Sequence, residues 1–178
     1  MYKIVIIGPE STGKSHLSEA LSRHYGEPWV PEYAREYLEG LGRPYRYDDL
    51  LQIARGQIRA EEELDGQAKE LLFCDTDLRV IKIWSEHKYR TTDPWIRQQI
   101  KVRAYDLYLL TDIDMPWQED PLREHPDPDL RTHFMAQYES ELDASGVPWV
   151  KISGSETNRL ESAIQVINRS KGKWGPSP

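Results

Sequence analysis

Cysteine is almost absent. Cys74 stands alone among 178 residues, so no disulfide framework can form within the chain. No apolar run approaches the ~18–20 residues that a membrane-spanning helix requires. An excess of positive charge is missing as well. Against 23 Lys and Arg stand 30 Asp and Glu, a net charge of −7, and binding to a nucleic-acid backbone would need a clustered positive field instead. The five histidines (His16, His24, His87, His125 and His133) are scattered, with no pair at metal-ligand spacing, which argues against zinc. The opening Met1–Gly8 is too short and too β-branched for a signal peptide. What these absences leave is a soluble, cytoplasmic protein that binds neither membrane nor nucleic acid. Its length suits one domain able to bury roughly two-thirds of its unfolded surface.

Five short apolar runs punctuate the chain: Ile4–Ile7, Trp29–Pro31, Leu71–Cys74, Leu107–Leu110 and Pro148–Ile152. They do not alternate with polar residues, the habit of parallel strands covered on both faces. Trp29–Val30 is the weakest of them, bracketed by Pro28 and Pro31. Helical stripes lie between. Leu17, Ala20 and Leu21 form one, and a stretch from Asp48 to Lys69 has Leu50, Ile53, Ala54, Ile58 and Leu64 as its inner face. Leu78, Ile81 and Trp84 continue at helical spacing, with Trp84 read as core. Asp129–Ala144 carries Leu130, Phe134, Tyr138 and Leu142 and stops at Gly146, and Ser155–Ser170 closes the fold. Strands alternating with helices predict an α/β three-layer sandwich around a five-stranded parallel sheet. Residues 112–131, dense in Asp, Glu, Pro and Arg, read as a lid, and 171–178, with Trp174, as a flexible tail after a single domain over 1–170.

Gly8-Pro9-Glu10-Ser11-Thr12-Gly13-Lys14-Ser15 matches G-x-x-x-x-G-K-[ST], entered by a strand and left by a helix. Glycines let the backbone curl so that several N–H groups converge on phosphate oxygens, and the helix N-terminus adds partial positive charge. In such a loop the lysine reaches the β/γ-phosphates and the serine hydroxyl ligates Mg²⁺. Gly8, Glu10, Ser11, Thr12, Gly13, Lys14, Ser15 and His16 are therefore the expected ATP contacts. The absence of Asn-Lys-x-Asp disfavours a guanine nucleotide.

Acids after the strand ends sit where parallel α/β sheets bind ligands. Asp75 is read as a partner of Mg²⁺ or a proton acceptor, whereas Asp77 is open between chemistry and a helix cap. Glu32 is open between holding an acceptor hydroxyl and a surface ion pair with Arg35, and Arg35 between that pair and screening phosphate. Asp112 and Asp114 carry the same ambiguity. Arg123 and Arg131 are lid candidates for stabilising the transferring phosphoryl group, or partners of Asp120, Glu124 and Asp127. Trp29, Tyr33, Trp95 and Trp117, near loops, suit a flat heterocycle.

The phosphate loop, Pro31-Glu32-Tyr33-Ala34-Arg35-Glu36, Gly56-Gln57, Cys74-Asp75-Thr76-Asp77 and Tyr105-Asp106 together resemble the kinase domain of NadR-type proteins, from about Lys3 to Ile167. Those are P-loop kinases that phosphorylate nicotinamide riboside with ATP and Mg²⁺. The resemblance implies a nucleoside-kinase-like core with the first strand central, a small-molecule nucleoside as partner, and a lid near Arg123 and Arg131. It also implies Ser153-Gly154-Ser155 beside the adenine. NadR proteins usually carry an adenylyltransferase domain ahead of the kinase. This chain starts on the P-loop strand, so a stand-alone kinase is expected. Other small-molecule kinases and a non-catalytic ATP-responsive module remain as alternatives.

Overall fold

Ile4, Val5, Ile6 and Ile7 are each fully buried, which only a strand in the middle of a covered sheet achieves. A computed structural model describes residues 1–171 of the chain. In it β1 (Tyr2–Ile7) lies between β3 (Leu71–Asp75) and β4 (Leu107–Thr111). The sheet is completed by β2 (Trp29–Val30) beside β3 and β5 (Trp149–Ile152) beside β4, giving the order β2-β3-β1-β4-β5 with every pair parallel. Both edges are blunt. β2 is two residues long between its prolines, and β5 exposes Val150 and Lys151, so continuous burial fails for β5 because nothing pairs beyond it.

Seven helices among the described residues flank the sheet: α1 (Lys14–Tyr25), α2 (Tyr33–Leu41), α3 (Tyr47–Asp65), α4 (Leu78–Tyr89), α5 (Pro94–Val102), α6 (Pro128–Ser145) and α7 (Glu156–Lys171). Alternate strand residues serve the two faces. Ile4, Ile6, Phe73 and Leu109 meet Leu17 and Leu21 of α1 and Ala163 and Ile167 of α7. Val5, Ile7, Cys74, Tyr108 and Leu110 meet Val80 and Ile83 of α4 and Phe134, Tyr138 and Leu142 of α6. A third cluster, from Ala34, Leu50, Ile53, Leu78 and Ile96, ties α2 and α5 to α3 and α4. The three-layer sandwich is the expected one. None of the helices among the described residues is long and apolar enough to cross a membrane.

Helices α2 and α5 were not among the expected elements. Each is nine residues long, too short for a full apolar stripe, yet α5 carries an explicit start: the Asp93 side chain accepts from the Trp95 N–H and Pro94 occupies the first turn. Lys171, expected in the tail, ends α7 and donates to Glu70 at 2.7 Å. Residues 172–178, including Trp174, lie outside the described residues.

Two buried carboxylates of α3, Asp49 and Glu61, are held by arginines. Glu61, fully buried, accepts from Tyr105 Oη at 2.9 Å and from Arg103 Nη2 at 2.9 Å. At the start of α3, Asp49 accepts from both Arg43 Nη atoms, from Tyr37 Oη and from the Arg46 N–H. The Arg43 guanidinium holds the Asp49 carboxyl well below the usual carboxylate range. A depressed folded pKa contributes stability that is complete above the unfolded value and lost as pH falls through the folded one. Asp49→Asn should therefore lower Tm at pH 7, with the deficit shrinking once the pH drops below about 4. Melting curves across pH 2–8 check this, and a deficit independent of pH would contradict it.

Candidate active site

The phosphate loop between β1 and α1 is seated on β4. Gly8 has φ +150°, and a Cβ there would lie 2.6 Å from Thr111 Oγ1, so only glycine fits. The Thr12 hydroxyl lies 2.7 Å from that same Thr111 Oγ1 and donates to the Pro9 carbonyl at 2.8 Å. Gly13 (φ +76°) begins α1 in the left-handed region, with no side chain capping the helix. The first amides of α1 are thus left facing the loop mouth, an anion-binding arrangement. Lys14 Nζ crosses the loop to the Pro9 carbonyl at 2.9 Å.

Behind the loop lies a residue the sequence reading missed. Arg159 of α7 is 2% exposed and spends its guanidinium on three backbone carbonyls: Thr12 (2.9 Å), Gly154 (2.8 Å) and Asp112 (3.0 Å). It also pairs with Asp114. Asp112 accepts from the Ser153 hydroxyl and Asp114 from the Gly154 N–H. Both acids therefore brace the β5–α7 loop rather than face a ligand. No periodicity marks such an arginine, because its partners come from three separate loops.

At the end of β3, Thr76 adopts a left-handed φ of +73°, uncommon for a residue other than glycine, and its N–H is held by the Ile6 carbonyl at 2.9 Å. This turn separates two neighbouring acids by task. Asp77 caps α4 by accepting from the Arg79 N–H at 2.9 Å and also holds Tyr108 Oη at 2.8 Å, the structural alternative of the two open for it. Asp75 is fully buried, and neither carboxylate oxygen has a hydrogen-bond partner among the described residues. Burial, reinforced by the nearby Glu32 charge, raises its carboxyl to about 7, while Lys14, the Ser15 hydroxyl and Arg35 pull the other way. An unpartnered buried carboxylate costs ~1–3 kcal/mol or more, and it persists where a ligand supplies the missing charge. The oxygen donors Ser15 and Asp75 beside the loop fit a hard divalent cation such as Mg²⁺.

Glu32 precedes α2, and its carboxylate does not cap it. The start of that helix is fixed by Gly56-Gln57 of α3. The Tyr33 N–H donates to Gln57 Oε1 at 2.9 Å, and a Cβ on Gly56 would lie 1.9 Å from the Tyr33 ring. Arg35 pairs with Asp120 at 2.8 Å and with Glu39 at 3.6 Å, so the surface pair with Glu32, one of the two alternatives open for it, gives way to a contact with the 112–127 connection. That connection has no helix or strand. It covers the loop, placing Arg123 Nη1 3.3 Å from Ser11 Oγ and Met115 beside Gly13.

One cleft of about 220 Å³ is lined by Gly8, Glu10–His16, Glu32, Arg35 and Arg123. The apolar and aromatic part of its lining is Ala34, Leu38, Val80, Trp84 and Tyr138. Trp84, expected as core, is half-buried: it packs against two of the core clusters and also lines the cleft. The aromatics expected to face a heterocycle do not line this cleft. Trp29 packs on the α1–α7 side of the sheet, Tyr33 lies on Gly56, Trp95 lies under the Arg55 guanidinium, and Trp117 stacks on Arg131. Arg131 is likewise outside the lining. It is 8% exposed and donates Nη2 to the Ser11 carbonyl at 3.4 Å, bracing the loop from behind. His16 is mostly exposed, 3.3 Å from Glu156. A second hollow of about 180 Å³ shares Gly13, His16, Met115 and Glu156 with the cleft. The first turn of α7, through Glu156, Thr157 and Leu160, lines it in place of Ser153-Gly154-Ser155.

Comparison with known proteins agrees with this geometry. The trifunctional NAD biosynthesis/regulator protein NadR of Escherichia coli strain K12 is 23% identical over 175 residues, which cover 96% of this chain and 43% of that protein. The chain thus spans less than half the length of the curated relatives it matches. A crystal structure of NadR protein in complex with NR superposes with a TM-score of 0.81 at 23% identity, covering 96% of this chain and 50% of that one. Deoxyadenosine kinase from M. mycoides, with products dCMP and dCDP, gives 0.67 at 14% identity and is covered over 99% of its length. The fold is that of the P-loop nucleoside and nucleotide kinases. A family model described as AAA domain matches residues 3–159, and the chain belongs to that family.

Proposed function

We propose that the protein transfers the γ-phosphoryl group of ATP to the 5′-hydroxyl of a nucleoside, nicotinamide riboside in the first place. The observation that carries this is the single cleft. Its lining combines a phosphate-gripping loop, the apolar and aromatic groups Trp84, Val80, Leu38 and Tyr138, the Glu32 carboxylate and the Arg35 and Arg123 guanidinium groups. A phosphoryl-transfer site needs these parts together: anion grip, charge screen, acceptor platform. The relatives support the acceptor, since the E. coli protein is named for NAD biosynthesis and the solved NadR holds NR. A cytoplasmic location accompanies the reading, as ATP is the donor.

In this mechanism the amides of Gly13–Ser15 and the Lys14 ammonium bind the β- and γ-phosphates, with Lys14 leaving the Pro9 carbonyl for the ligand. Ser15 and Asp75 would hold Mg²⁺, which when bound neutralises phosphate charge. Glu32, uncommitted to any cap, faces the acceptor hydroxyl and accepts its proton or its hydrogen bond. Arg35 and Arg123 screen the charge that spreads over the transferring group, and Arg131 holds the loop from behind. Residues 112–131 act as a lid that excludes water, the competing acceptor. The domain so defined covers the described chain.

Incubation with ATP, Mg²⁺ and a panel of nicotinamide riboside, thymidine, deoxyadenosine and nucleoside monophosphates tests the acceptor. Turnover of nicotinamide riboside above all others is expected, whereas turnover of thymidine or a monophosphate with none of nicotinamide riboside would reject it. Lys14→Ala should reduce turnover about 10²-fold, the scale of one lost transition-state donor. An unchanged rate would mean that the phosphates bind elsewhere.

A further inference from the structure

The phosphate-loop motif leaves four positions open, and two of them, Glu10 and Ser11, carry the contacts that bring the 112–127 connection onto the loop. Glu10 Oε2 accepts the backbone N–H groups of Glu124 and His125, each at 3.1 Å. Ser11 Oγ accepts the Gln118 N–H at 2.9 Å and Arg123 Nη1 at 3.3 Å. Arg123 Nη1 also donates to the Gln118 carbonyl at 2.6 Å, so the guanidinium is fixed where the connection docks. The start of the connection is tied separately, through Asp112 and Asp114 to Arg159 and the β5–α7 loop. Around residues 118–125 the further ties are the exposed pairs Arg35–Asp120, Tyr45–Glu124 and Lys88–Glu124, of the kind that contributes little, and the packing of the His125 ring on His87 and Phe134.

An acid in a loop built to gather positive potential needs a reason. Contact with the nucleotide, expected from Glu10's position in the motif, is poor chemistry, since a carboxylate and a triphosphate repel. Two backbone donors from the connection, aimed at one oxygen, are good chemistry, because charge-assisted bonds of this type are about twice as strong as neutral ones. We propose that Glu10 is a positioning residue: its carboxylate latches the connection to the phosphate loop and so presents Arg123 to the transferring phosphoryl group. The latch forms at the loop itself, so a loop distorted or displaced also loses its lid.

This inference rests on the kinase reading for its effect on turnover, but not for the latch, and one experiment separates the two. Wild type, Glu10→Ala and Glu10→Gln are compared by amide hydrogen exchange and by steady-state kinetics. In Glu10→Ala the Glu124 and His125 amides should exchange at least ~10-fold faster while α1 amides keep their protection. Turnover should fall ~10–100-fold with no rise in the ATP KM, the pattern of an interaction that acts after the nucleotide is bound. Glu10→Gln keeps an oxygen for the two N–H groups and should recover part of both losses. Unchanged exchange at Glu124 and His125 would overturn the latch, and an ATP KM rising in step with the loss of turnover would make Glu10 a nucleotide contact instead. If wild type phosphorylates no nucleoside, the kinase reading falls, and the exchange measurement alone still decides whether Glu10 holds the connection.

Discussion

Asp75→Asn should reduce phosphoryl transfer by about 10³-fold and at the same time raise the melting temperature. The two effects have one cause. The carboxylate is fully buried, its oxygens have no hydrogen-bond partner among the described residues, and burial lifts its carboxyl to about 7. An amide of the same shape removes the buried charge, and relief of about 1 kcal/mol corresponds to ~2–4 °C in a domain of this size. Catalysis, however, would lose the anion proposed to hold Mg²⁺ together with Ser15, and charge-stabilising groups of this kind are worth ~10²–10³ each. Thermal melts and initial rates on one preparation check both halves. A variant that lost activity and stability together would mean that Asp75 is a structural acid.

The opposite signature is expected of Arg159. Arg159→Met keeps the aliphatic stem but strips the donors from three backbone carbonyls on three loops and leaves Asp114 without its partner. Breaking a buried charged network by removing one member costs ~3–5 kcal/mol, and because Asp114 is 36% exposed the lower end applies. That is a fall of about 10 °C in Tm. The Thr12 carbonyl belongs to the phosphate loop, so nucleotide affinity should fall with it. Denaturant unfolding followed in parallel with ATP binding checks this, and wild-type stability would show that the guanidinium is replaced by water without loss.

Parts of this molecule could be read directly from the chain, for reasons of period and spacing. β1, β3 and β4 were legible because burial on both faces forces unbroken apolar runs, and α1, α3, α4, α6 and α7 because each is at least twelve residues long with one buried stripe. The phosphate loop was legible because its glycines answer to backbone geometry at Gly8 and Gly13. Illegible were α2 and α5, whose inner faces form only against α3 and α4. Arg159 was illegible because its meaning lies in loops far apart in sequence. The misreading of Trp29, Tyr33, Trp95 and Trp117 has one origin. Local polarity says that an aromatic sits near a surface but not which surface. The Glu32–Arg35 spacing matched a helix-surface pair, yet Asp120 from another segment took Arg35 instead.

The phosphate loop acts first of all as an anion grip in this proposal, and titration calorimetry with ATP and Mg²⁺ tests that most directly. Wild type should bind with a dissociation constant in the ~1 µM–1 mM range common for enzyme substrates, and Lys14→Ala should bind more weakly. No measurable heat from wild type at millimolar ATP, or equal heats from the two proteins, would contradict it.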